Sequence, residues 1–223
     1  MDKISIIVPT LWKSEGFKER LMNISALESV GEIILIDNTD TPPELDIINL
    51  THIKEYKNTY VNPAWNKGVE LAKYDKLCFL NDDVDFDLNL FKNILPHITE
   101  DKGMIGLNEY HGYGVWEDEL GCDRSRPSNR RGHRGYELKC FQLNENRRPG
   151  FGCLWFIHKN SYTPIPDDIK IWYGDDWIYY KSGKSNWAMT NIDIVGKPSQ
   201  TSDLPEFNEV KQNDQRLYHK HLN

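Results

Sequence analysis

Cysteine is scarce in this chain. There are four, Cys78, Cys122, Cys140 and Cys153, and none forms a Cys-x-x-Cys pair. Cys78 lies in an apolar run and reads as a buried thiol. No apolar run reaches the ~18 residues expected of a membrane span, and the first residues lead straight into a strand rather than a signal peptide. These absences predict a protein of a reducing compartment with no membrane span, in the cytoplasm. Positive charge is also short: 27 Lys and Arg against 34 Asp and Glu give a net charge of −7. A nucleic-acid binder usually carries a basic footprint, so nucleic acid is not expected as a partner. Glycine is missing from Thr10-Leu11-Trp12-Lys13-Ser14. A nucleotidyltransferase would need a glycine-rich loop there to grip a triphosphate, and its absence counts against that activity.

What is present is enough for one α/β domain. The 223 residues are 39% hydrophobic and 27% charged, a globular balance. Lys3 to Val8 is a β-branched run closed by Pro9 and predicts a buried strand. Ser14 or Glu15 can open a helix, with Phe17, Leu21, Ile24 and Leu27 forming its apolar stripe. Glu32 to Ile36 predicts a second strand, Thr51 to Tyr56 a third, and Lys76 to Leu80 a fourth. Between the last two, Pro63 to Lys73 predicts a helix with Asn62 as N-cap. Strand and helix thus alternate, the pattern of a mainly parallel sheet with helices on both faces. Beyond residue 100 the pattern is less regular. Met104 to Leu107, Tyr136 to Leu143, Gly152 to Ile157 and Trp187 to Val195 read as strands, Asp175 to Lys181 as a helix, and Gly112 to Gly135 as a long loop. The tail from Leu204 has a weak helical period. No linker divides the chain, so a single domain is expected.

Ligands of such sheets bind beyond the carboxyl ends of the strands. Thr10, Asp37 and Asp83 all follow strand ends, so three strands deliver polar groups to one edge. Asp82, Asp83, Asp85 and Asp87 crowd four carboxylates into one turn. Such crowding is relieved by solvent or by a hard cation, Mg²⁺ or Mn²⁺, which takes one or two carboxylates and completes its shell with phosphate oxygens and water. Asp87 reads as the cap of the next helix, and Asp83 and Asp85 as metal ligands. Asp175-Asp176 has two readings, as first-turn acids of a helix or as a general base. Glycines in Pro149-Gly150-Phe151-Gly152-Cys153 would allow close backbone approach to a ligand. Seven arginines between Arg124 and Arg148 could face an anionic ligand or solvent.

In order, Ile6-Ile7-Val8-Pro9-Thr10, Ile34-Leu35-Ile36-Asp37-Asn38, Asn66-Lys67-Gly68, Phe79-Leu80-Asn81-Asp82-Asp83-Val84 and Gly174-Asp175-Asp176 resemble the GT-A fold glycosyltransferases of the family 2 type, over about the first 195 residues. Compact enzymes of this kind occur in phages and large algal viruses. The resemblance implies a Rossmann-like mixed, mainly parallel sheet, with a nucleotide-binding half over about residues 1–100, an acceptor half over about 101–200 and a helical tail over about 204–223. It implies a nucleotide-sugar donor, UDP by family habit, lying over Pro9, Thr10, Leu11, Asp37, Asn38, Asn66, Asp82 and Asp83. It implies Mn²⁺ or Mg²⁺ on a DxD-type motif, framed here either as Asn81-Asp82-Asp83 or as Asp83-Val84-Asp85. Asp176, with Asp175 beside it, would take the proton of a carbohydrate acceptor, and Trp116, Gly152, Trp155 and Trp172 would line the acceptor side. One departure is clear: Gly196-Lys197-Pro198-Ser199 stands where many members place a further metal-binding His, and Lys197 could there offset diphosphate charge. A sugar-nucleotide-binding module without catalysis is the non-enzymatic alternative, and the acids of both clusters argue against it.

Overall fold

The computed structural model describes residues 2–107, 113–114, 126–127, 138–143, 151–192, 194–196 and 204–222. Trp116, Cys122, Lys197 and nearly all of the arginine-rich stretch lie outside these residues.

The first half follows the expected alternation. Strand β1 (Ile4–Thr10) leads to α1 (Phe17–Ser25), β2 (Val30–Asp37), β3 (Leu50–Lys54), α2 (Val61–Leu71) and β4 (Lys76–Leu80). A short β5 (Val84–Phe86) and α3 (Leu90–Ile94) follow, with Asp87 accepting the amide of Asn89 at 2.9 Å in the turn before α3. Next come β6 (Ile105–Leu107), the small pair β7 (Tyr113–Gly114) and β8 (Arg126–Pro127), β9 (Lys139–Gln142) and β10 (Leu154–His158). The chain continues through α4 (Gly174–Lys181), β11 (Trp187–Thr190), β12 (Ile194–Gly196) and α5 (Asn208–Leu222).

Eight strands form one sheet in the order β3-β2-β1-β4-β10-β6-β11-β9. The pairs β1–β2, β1–β4, β2–β3 and β6–β11 are parallel, while β10 runs antiparallel to β4 and β6, and β9 antiparallel to β11. Side chains alternate across this sheet, as the strand period requires. Ile4, Ile6 and Val8 pack with Phe17, Leu21 and Ile24 of α1 on one face, whereas Ile7, Ile34 and Phe79 pack with Trp65, Val69 and Ile178 of α2 and α4 on the other. Full burial of a side chain such as Leu21 is worth about 1.5–3 kcal/mol, and the β-branched runs of the sequence supply many such residues. Among the described residues no helix is long and apolar enough to cross a membrane.

Two sequence expectations give way to tertiary contacts. Asn62 does not cap α2: the helix begins at Val61 after Tyr60 at φ 69°, and Asn62 is fully buried, donating Nδ2 to the Trp172 carbonyl at 3.2 Å. The span from Trp187 to Val195 is not one strand. Asn191, at φ 64°, breaks it, and β12 leaves the large sheet to pair with β5, setting Val195 opposite Asp85.

Candidate functional site

The strand order reverses beside β1. From β1 the chain steps outward through β2 and β3, then returns through α2 to place β4 on the other side. The carboxyl ends of β1 and β4 therefore flank the switch-point crevice of an α/β sheet. Thr10 pairs in register with Asp37 at the ends of β1 and β2. Across the crevice, Thr10 Oγ1 donates to Asp82 Oδ2 at 2.7 Å, and the Leu11 amide reaches the same carboxylate. Burial raises the Asp82 carboxyl above its ordinary range, against the opposing pull of these donors and of the Arg20 charge. Arg20, on α1, holds the Asp82 carbonyl at 2.5 Å and Ser14 Oγ at 2.8 Å, clamping the loop after β1 onto the turn after β4.

Asp37 is wholly buried. Its Oδ1 accepts the Thr39 amide at 3.0 Å and the Thr39 hydroxyl at 2.6 Å. Its Oδ2 meets Trp12 Nε1 at 2.5 Å and His52 Nε2 at 3.0 Å. Burial opposes its charge, but the bonds from Thr39, Trp12 and His52 outweigh that and hold the carboxyl below its usual range. Asn38 accepts the Thr59 hydroxyl at 2.6 Å and the Thr59 amide at 3.2 Å. These two residues anchor the loops beyond β1 and β3, so they shape the crevice through Trp12 and Thr59.

The acid turn and Asp175 both lie next to the start of β10. Leu80 pairs with Leu154, and the Asn81 amide donates to the Cys153 carbonyl at 2.9 Å, so Phe151 to Cys153 sit at the same sheet edge as Thr10 and Asp82. Burial pushes the Cys153 thiol well up, and the negative fields of Asp83 and Asp175 push it the same way. A side chain at Gly152 would lie 3.6 Å from Asp175 Oδ2. Asp175, remote in sequence from the acid turn, is thus brought to the strand start that pairs with it. Asp175 is half-buried and Asp176 is 3% exposed, both in the first turn of α4.

Asp82 accepts the Thr10 hydroxyl, and Asp83 and Asp85 are further hard oxygen donors of the same turn. Asp85 lies between buried Val84 and Phe86 and so projects from the other face of β5. Among the described residues no three or more His, Cys, Asp or Glu gather into a full metal cage. Mg²⁺ and Mn²⁺ suit a sparser protein share, one or two carboxylates completed by phosphate oxygens and water, and the pair fits that chemistry.

Two expected site residues lie elsewhere. Asn66 donates its amide to the Ile165 carbonyl at 2.7 Å and accepts the Ile165 amide and the Tyr162 hydroxyl, which ties α2 to that segment. Trp155 has no exposed surface and stacks on Phe79 with centroids 3.7 Å apart, because its position on β10 points it toward the α2 face. It offers nothing to an acceptor. Trp172 is half-buried, with the Lys211 ammonium 5.4 Å from its ring. Trp12, Arg20, His52 and Asp214 were not foreseen. For Asp214 the signal existed: with Leu217 and Tyr218 it shares a helical face, an acid on an apolar stripe.

No family model matches the chain, and no curated protein matches it in sequence. Solved structures match it in fold. The 1–349 segment of S. aureus TarS is 16% identical over 84% of this chain and 57% of that one, with a TM-score of 0.54. The same segment in complex with UDP is 17% identical over 85% and 58%, with a TM-score of 0.59. A longer TarS structure is 15% identical over 85% of this chain and 35% of its own, with a TM-score of 0.56. The chain therefore spans a little over half of the 1–349 segment. At these identities the likeness concerns the fold, and the fold is the α/β GT-A type, a mainly parallel mixed sheet flanked by helices.

Proposed function

We propose that the chain is a glycosyltransferase that moves a sugar from a nucleoside diphosphate sugar, with uridine as the base, to a hydroxyl of a carbohydrate acceptor, with a divalent cation and inversion at the sugar carbon. The observation that carries this reading is the place of the Asp175 carboxylate over Gly152, next to the Cys153 carbonyl that holds the acid turn, at the edge where Thr10 and Asp82 close the switch-point crevice. The GT-A fold supports it, as does the match to a TarS segment that holds UDP.

In this reading the nucleoside lies along the loops after β1 and β2, over Pro9, Thr10, Leu11 and the loops that Asp37 and Asn38 anchor. Asp83 and Asp85 would hold Mg²⁺ or Mn²⁺, which when bound offsets charge on the departing diphosphate. Asp176 accepts the proton of the acceptor hydroxyl as its oxygen bonds to the anomeric carbon. The bond from that carbon to the diphosphate breaks, and its electron pair leaves with UDP. One displacement from the opposite face inverts the centre. Asp175, the more exposed acid, lies against Gly152, which this reading keeps on the acceptor side.

The test is UDP release from UDP-glucose, UDP-galactose and UDP-GlcNAc with Mn²⁺. Asp83→Ala should lower turnover by about a hundredfold, roughly 3 kcal/mol of lost stabilisation, with the melting temperature unchanged because Asp83 is not a core residue. Parental turnover in Asp83→Ala, or a parent indifferent to chelator, would remove the metal from the mechanism.

A further inference from the structure

The three residues before Tyr173 belong to no strand or helix, yet their backbone is held on both sides. Asp214, in the middle of α5 and fully buried, faces their amides. Its Oδ1 accepts the Lys170 amide at 2.9 Å, and its Oδ2 accepts those of Ile171 at 2.8 Å and Trp172 at 3.1 Å. Three successive amides on one carboxylate make a nest occupied by an internal anion. On the carbonyl side stands Asn62 of α2: its amide donates to the Lys170 carbonyl at 3.0 Å and its Nδ2 to the Trp172 carbonyl at 3.2 Å. Immediately after this gripped segment the chain turns sharply. Tyr173 takes φ 65° and stacks on Tyr218 of α5, with ring centroids 4.9 Å apart. Gly174 then packs on Asn62, and Asp175 and Asp176 open α4.

We infer that Asp214 is a positioning residue of the reaction: by fixing the amides of residues 170–172 it sets where the Asp175-Asp176 pair stands relative to the acid turn. The inference rests on the glycosyltransferase reading and adds to it a role for the C-terminal helix. Charge-assisted bonds from backbone amides are short and directional, and a misplacement of about 1 Å at reacting groups can cost about a hundredfold in rate. Asparagine at position 214 would turn an NH₂ group toward amides that can only donate, so the segment would lose at least one of its three bonds and shift. The donor side stands on β1, β2 and β4, and the hydrogen bonds described above on residues 170–172 come from α2 and α5 instead.

The experiment compares the parent, Asp214→Asn, Asp176→Asn and the double variant, using whichever of UDP-glucose, UDP-galactose and UDP-GlcNAc the parent hydrolyses with Mn²⁺. Calorimetric titration with UDP counts the competent sites in each preparation. Asp214→Asn should bind UDP within about twofold of the parent but release UDP from the donor at least about tenfold more slowly per site. The double variant should be no slower than Asp176→Asn, because a residue acting through another adds nothing once that other is gone. A parental rate per site in Asp214→Asn beside a slow Asp176→Asn would overturn the inference alone. So would losses that multiply in the double variant, and so would failure of Asp214→Asn to bind UDP, which would make Asp214 a residue of the fold. If the parent hydrolyses none of the donors, or Asp176→Asn keeps the parental rate, the reading beneath falls and takes the inference with it.

Discussion

Asp37 collects four donors, two from Thr39 and one each from Trp12 and His52, within a site that excludes water. Its carboxyl is held below the ordinary value of 3.8, so the folded state binds its proton less well than the unfolded chain does. The resulting stabilisation is full above the ordinary value and is lost as the pH falls through the lowered one. Denaturant titrations of the parent should therefore show stability falling on acidification through this range, and Asp37→Asn should show a shallower fall from a lower start. An unchanged slope in the variant would mean that other carboxylates carry the acid sensitivity. The strand-end position of Asp37 was legible in the sequence, but its four donors were not, because they come from three separate segments. Asp82 and Asp83 make the same point. They are adjacent and chemically identical, and only the fold tells that Thr10 occupies one of them.

At the scale of elements, α2, α4 and α5 close around residues 170–176. Gly174 is the tightest point: a Cβ there would stand 2.1 Å from Asn62 Oδ1 and 2.6 Å from its Cγ. Asn62 is fully buried and bonded to the Trp172 carbonyl, so it cannot swing aside. Gly174→Ala should cost about 1–3 kcal/mol by overpacking, seen as a melting temperature lower by about 2–10 °C, and should slow transfer more than it weakens UDP binding. A variant as stable and active as the parent would mean that α4 can shift without consequence. The apolar spacing of α1 and the β-branched runs of β1, β2 and β4 were readable because each element's own pattern decides it. The N-terminus of α2 and the break at Asn191 were not, since contacts with residues 170–172 and the pairing of β12 with β5 overrode local preference. Trp155 misled for a similar reason, since an aromatic within an apolar strand gives no sign of which layer will cover it.

For the molecule as a whole, the reversal of strand order beside β1 creates the crevice, and the antiparallel return of β10 brings Gly152 and Cys153 to its rim. The alternation of strands and helices made the fold class readable from the first hundred residues, and the order of motifs made the GT-A fold readable beyond that. The place of Asp175 over Gly152, next to the acid turn, could not be read, because it depends on β10 pairing next to β4. That placement is the core of the account, and the base is its most exposed claim. The decisive measurement is the rate of UDP release from a UDP-sugar with Mn²⁺, set beside UDP affinity, in the parent, Asp175→Asn and Asp176→Asn. Asp176→Asn should bind UDP as the parent does while losing at least about a hundredfold in rate, and Asp175→Asn should be milder. Near-parental turnover by Asp176→Asn would contradict the account, for asparagine caps a helix as well as aspartate does, and the pair would then be only the opening of α4.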